Sequence, residues 1–134
     1  MLALRSLARR IEAATEEANE LEREIIGHVL VPELLHEPGV GPIVAAQLIV
    51  SSSHRDRVCS EAAFARLAGV APLPASSGQT IRHRLSRGGD RQLNRALHTV
   101  VLHRRQHDDA TRSYIARRVA EGKTTREATR ILKR

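Results

Sequence analysis

Aromatic side chains are nearly absent from this 134-residue chain: they make up 1% of it, with Phe64 and Tyr114 the sole members. Leu, Ile, Val and Ala must therefore fill any core, which argues against a sandwich or barrel packed on large rings. Cysteine occurs once, at Cys59, which excludes a disulfide framework and a cysteine-rich metal site and fits a reducing compartment. No apolar run reaches the roughly 18 residues of a membrane span. The N-terminus, MLALRSLARRIEAATEE, is charged too early for a signal peptide. A soluble, all-α chain with no membrane partner is the expectation, and its length suffices for one domain with a short appendage.

Lysine is scarce as well. Of 22 basic residues only Lys123 and Lys133 are not arginine. The net charge of +7 hides a polar split. Residues 1–40 hold 4 basic and 8 acidic side chains, a balance of −4, and residues 41–134 hold 18 and 7, a balance of +11. Positive charge gathered in one part of the chain is the footprint of a polyanion-binding face, and arginine's planar fork suits bidentate phosphate contacts. A genome rich in G and C that encodes arginine by default is the competing account.

Leu4, Leu7, Ile11, Ala14, Ala18, Leu21 and Ile25 recur at alternating spacings of three and four. That is a heptad seam, and it predicts a long N-terminal helix over residues 1–30 that packs as a coiled coil on a partner helix. A helix laid against its own domain would need a wider apolar face. Beyond it, VPELLHEPGVGPIVAAQLIVSS reads as two short helices around a Gly39-Val40-Gly41 turn, with Pro42 opening the second. This helix-hairpin-helix pattern at 31–52 would let a DNA phosphate approach Gly39 and Gly41; an ordinary helical hairpin is the alternative. Ser60, Asp90, Asp108 or Asp109, and Thr124 stand where helix caps belong, the last with Glu127 in a capping box.

Between these helices, residues 70–89 form a long loop carrying Ser76, Ser77 and Gly78, followed by Arg82, Arg84, Arg87, Arg91 and Arg95. Loops of this length without regular structure are usually functional or disordered. A hydroxyl ringed by guanidiniums suits a phosphodiester, because the arginines would stabilise charge developing on phosphorus during attack by serine. What would take the serine proton is less evident; His83 is the nearest candidate, and a plain turn serine is the alternative. His103 and His107 lie four apart on one helical face, but without a third ligand they do not specify a metal. No set of acids resembles a two-metal site, so no metal is assigned to this chain.

The ordered string PGVGPIVAAQLI, FARLAGVAPLPASSGQT, RLSRGGDRQLNRAL and YIARRVAEGKTTREATRIL resembles the C-terminal half of the transposases of the "one-ten" family of bacterial insertion sequences. The likeness covers nearly all of residues 15–134 and is most specific at 67–97. It implies DNA transposition by a serine recombinase, with Ser77 at the position of the family's Ser-Gly nucleophile and Ser76 as a neighbour easily mistaken for it. It also implies a resolvase-like N-terminal domain with four acidic ligands for a divalent metal such as Mg, and a structured guide RNA. The reading that follows is a coiled-coil helix over 1–30 and a helical transposase domain over 31–134, cytoplasmic and nucleoid-associated, with the isolated chain inactive. The sequence departs from the family at Gly88-Gly89-Asp90, where a basic residue, glycine and asparagine are usual. A non-catalytic DNA-binding module and a coiled-coil assembly domain are the rival functions.

Overall fold

Residues 2–26 hold neither glycine nor proline and are rich in Ala, Leu, Glu and Arg, the strongest helix formers. They form a single helix, α1, Leu2–His28, in the computed structural model, which describes residues 2–28, 31–53, 58–75, 83–84, 86 and 88–134. No side chain of α1 is buried. Leu4, Leu7, Ile11 and Leu21 stand 52–69% exposed along its seam. Only Glu22 and Ile25 are partly covered, where α1 meets the next helix. The seam from Leu4 to Leu21 is thus largely exposed, and only its end at Ile25 meets the domain.

The segment expected as the first arm of a helix-hairpin-helix is a five-residue 3-10 helix, Pro32–His36. An α-helix needs i to i+4 bonding over more residues than the interval to Pro38 allows. The turn after it uses Gly39 at φ +86, and α2 runs Pro42–Ser52 with proline at its start. Next come α3, Glu61–Leu67, capped by the Ser60 hydroxyl on the Ala63 amide at 3.1 Å, and α4, Arg91–His107. A turn at Asp108 leads into α5, Asp109–Ala120, and then α6, Thr125–Leu132. The Asp108 carboxylate caps α5, and Thr124 with Glu127 closes the capping box on α6.

One expectation is corrected. The loop over 70–89 is not wholly irregular: β1, Leu73–Pro74, pairs antiparallel with β2, His83–Arg84, in the register Leu73↔Arg84 and Pro74↔His83. Among the described residues the fold is otherwise all-α. The core is small and aliphatic. Ala65, Ala68, Val70 and the fully buried Leu93 form it, with Leu48, Phe64, Leu67, Ala71 and Leu97 packed around them. Alanine at Ala45, 0% exposed, fits the close packing of α2, whose chief neighbour is α4. Small residues at a helix contact shorten the interaxial distance. The buried Ser51 hydroxyl of α2 donates to Asp90 Oδ2 at 2.9 Å, so α2 is tied to the cap of α4.

A clamped loop beside a basic cleft

The two ends of the serine loop are brought together by backbone packing. Gly69 has φ +66, a conformation that side-chain-bearing residues rarely adopt, and it ends α3. Gly89 lies against it so closely that a Cβ on Gly89 would stand 2.2 Å from the Gly69 nitrogen and 2.4 Å from its Cα. The Asp90 amide donates to the Leu67 carbonyl at 2.6 Å, and the Val70 amide to the Ala65 carbonyl at 2.8 Å. Asp90 then begins α4, its Oδ1 accepting from the Gln92 and Leu93 amides. The Asp90 carboxylate therefore both caps α4 and accepts from Ser51. The loop emerges from a base set by close packing.

A cleft of about 350 Å3 opens beside that base, between β2 and the last two helices. Its floor includes Val70, Ala71, Pro72 and Ile131, and Arg84, Arg118, Lys123, Arg130, Lys133 and Arg134 surround it. Arg118 is engaged elsewhere: it donates to the Tyr114 hydroxyl at 3.1 Å and to Glu121 at 2.8 Å, which together hold its proton more tightly. Glu127, the acid of the cleft, has its carboxylate on the Thr124 cap. Among the described residues, Arg84, Lys123, Arg130, Lys133 and Arg134 have no carboxylate at ion-pair distance.

Among the described residues, bonds tie α6 and its end to β2 and to α4. Arg130 Nη1 donates to the His83 carbonyl of β2 at 3.4 Å. Lys133 Nζ donates to Asn94 Oδ1 at 3.1 Å, and Asn94 Nδ2 donates to the Ala68 carbonyl at 2.7 Å, beside the loop base. Burial first and the Arg130 charge second push the Lys133 ammonium below its usual pKa. Across α4, His98 is also lowered, by burial and then by Lys133 and Arg105. Besides the Arg118–Glu121 pair, five cations against the one acid Glu127 among the described lining residues make this corner a region of positive potential.

The residues anticipated from sequence are only partly gathered here. Arg84 lines the cleft, and Arg91 borders a neighbouring hollow with Ser86, Gly89 and Asn94. Arg95 is exposed one turn further along α4 and lines neither. Ser76, Ser77, Arg82 and Arg87 lie outside the described residues. Gly39 and Gly41 belong to the other end of the domain. Gly39 packs on α4 so that a Cβ would meet the Val100 carbonyl at 3.1 Å and the His103 side chain at 3.2 Å. From Asp90 to Val100, ten residues of helix span about 15 Å. The φ of +86 and this close packing together favour glycine at Gly39, whereas Gly41 is exposed with open space around it. Arg104 closes this turn on α4, its Nε on the Pro38 carbonyl at 2.8 Å and its Nη2 on Glu37 at 2.9 Å.

Sequence reasoning missed Lys123, Arg130, Lys133 and Arg134. A signal was present: Arg130, Lys133 and Arg134 are spaced i, i+3, i+4, which sets them on one helical face. His103 and His107 stack with ring centroids 4.5 Å apart. Among the described residues no three histidine, cysteine or carboxylate side chains converge to hold a metal, and no helix is long and apolar enough to cross a membrane.

The profile of the "Transposase IS116/IS110/IS902 family" matches residues 32–116, a stretch that contains the turn at Gly39, the serine loop and α4. A protein of Streptomyces coelicolor described as "Insertion element IS110 uncharacterized 43.6 kDa protein" is 38% identical over 128 residues. That alignment takes in 92% of this chain and 32% of the relative, so the chain spans about a third of the relative's length. With 85 of its 134 residues inside the family profile, the chain belongs to the IS116/IS110/IS902 family of transposases.

Proposed function

We propose that this chain is the C-terminal, DNA-engaging part of an insertion-sequence transposase and that Ser77 is its nucleophile. In this reading Ser77 Oγ attacks a DNA phosphorus, forming a phosphoserine ester as one strand oxygen leaves as a hydroxyl. Attack by the hydroxyl of the partner strand then restores the phosphodiester and frees the serine. Arginine side chains reaching the phosphate, Arg84 and Arg91 among them with Arg82, Arg87 and Arg95, would stabilise the added charge. Residues 1–30 act as a coiled-coil stalk joining copies of the chain, and 31–134 as the helical transposase domain. The divalent metal implied by the family resemblance would be held outside this chain, as would the principal contacts to a guide RNA.

The observation that carries the reading is the clamped base of the loop: Gly69 against Gly89, with a basic cleft alongside. A nucleophile gains most from a fixed origin next to charge-stabilising groups, because orientation and electrostatics supply most of the barrier reduction in phosphoryl transfer. The test is strand exchange on element-end DNA by this chain supplemented with the N-terminal region of the Streptomyces relative, with trapping of a covalent protein–DNA adduct. Ser77→Ala should abolish both exchange and adduct while DNA affinity stays nearly intact, and Ser76→Ala should keep most activity. Adduct formation surviving the double change would sink the serine mechanism and leave a DNA-binding module.

A further inference from the structure

The cleft between β2 and α6 was not foreseen from the serine-loop motif, and its composition needs a ligand. Arg84, Lys123, Arg130, Lys133 and Arg134 face a shared space and lack carboxylate partners among the described residues. Like charges so placed repel one another, and the Lys133 ammonium is held below its usual pKa first by burial and second by the Arg130 charge. The nearby acids are spent: Glu121 holds Arg118 and Glu127 holds the Thr124 cap. Among the described residues the Arg130 guanidinium donates to one backbone carbonyl, at 3.4 Å, a long bond. The apolar floor of Val70, Ala71, Pro72 and Ile131 would seat a sugar better than it would a bare inorganic ion.

We infer that this cleft grips the DNA backbone at one or two phosphodiesters beside the serine loop, with Arg84 from the loop strand and Arg130, Lys133 and Arg134 from the α6 end closing on the same strand. The bound strand neutralises the repulsion, and it bridges α6 to β2 where, among the described residues, a single long hydrogen bond now does so. Arg84 and the α6 cations thereby become one jaw each of a clamp on the DNA backbone. This rests on DNA being the substrate of the proposed function, and not on the serine chemistry.

The test is a fluorescence-anisotropy titration of the chain with a fluorescein-labelled short duplex DNA over a series of salt concentrations. Arg84→Gln combined with Arg134→Gln removes two cleft charges whose side chains make no hydrogen bond among the described residues. Affinity should fall on the order of tenfold, and the slope of log K against log salt should flatten by about 2, at about 0.9 per lost phosphate contact. Arg130→Gln with Lys133→Gln should act alike, with circular dichroism checking that the helices persist. Arg9→Gln with Arg10→Gln on α1 makes the same change in net charge outside the cleft and should leave the slope unaltered. An unchanged slope in the Arg84/Arg134 pair, or an equal loss in the α1 pair, overturns the cleft as the phosphate site. So does an effect of the cleft variants on single-stranded RNA of equal length with none on DNA. Ser77→Ala should bind as wild type, so loss of strand exchange there and loss of affinity here are separately readable.

Discussion

Replacing Gly89 with alanine should open the base of the serine loop. The added Cβ would lie 2.2 Å from the Gly69 nitrogen, 2.4 Å from its Cα and 2.8 Å from the Ala68 carbonyl carbon, all backbone atoms. An ordinary contact begins at 3.4 Å, so the two chain segments must part by about 1.2 Å, the difference between 3.4 and 2.2 Å. The adjoining bond from the Asp90 amide to the Leu67 carbonyl, now 2.6 Å, does not survive such a shift. Overpacking a close contact costs about 1–3 kcal/mol, and a lost hydrogen bond adds about 1 kcal/mol. A loss of about 2–4 kcal/mol corresponds to a fall in melting temperature on the order of 10 °C for a chain of this size. Thermal unfolding followed by circular dichroism measures it, with Gly88→Ala as control, since nothing lies within 4 Å of a Cβ there. The control should be neutral or slightly stabilised. A Gly89→Ala protein that melts with the control would refute the close approach that defines the loop base.

Three further outcomes are expected. Thr124→Ala removes the hydroxyl that accepts from the Glu127 amide at 3.2 Å, and should destabilise α6 by about 1 kcal/mol, seen as faster amide exchange across Thr125–Leu132. Introducing charge with Leu21→Glu, at a seam position 52% exposed in the single chain, should convert a self-associated species to monomer in sedimentation with the helices retained. A wild-type chain that is monomeric at high micromolar concentration would remove the stalk from the proposal. Acid should release the cap on α5: hydrogen bonds from the Thr111 hydroxyl and amide hold the Asp108 carboxyl below the ordinary aspartate pKa. Its stabilising contribution is complete above that ordinary value and is lost as pH falls through the lowered one. In an acid titration, Asp108→Asn should therefore be less stable than wild type near neutrality and converge with it at low pH.

The helices and their ends were legible in sequence because each is decided locally. Ser60, Asp90, Asp108 and Thr124 announce helix starts through side-chain oxygens that satisfy amides two or three residues away. The heptad seam likewise needs no tertiary information to be seen, and its exposure in the single chain is what an unpaired seam looks like. The motif around 67–97 was enough to mark the family. The short helix before Gly39 was legible too, but not its 3-10 type, because five residues carry the same apolar pattern in either helix type.

What the chain alone could not show is which separate segments share a space. The Gly69–Gly89 contact joins residues twenty apart through backbone atoms, and neither glycine differs in sequence from one in a plain turn. Gly39 looked like a phosphate seat until its packing on Val100 and His103 placed it against α4. The arginines of the motif read as one cluster in sequence, yet folding sends Arg84 to the cleft and Arg95 along α4. Lys133 and Arg130 reach Asn94 and the His83 carbonyl through tertiary bonds that no local pattern predicts. Local hydrogen bonding and helical periodicity therefore determined the elements, because those forces act within a few residues. The site was decided by long-range packing, which no local pattern encodes.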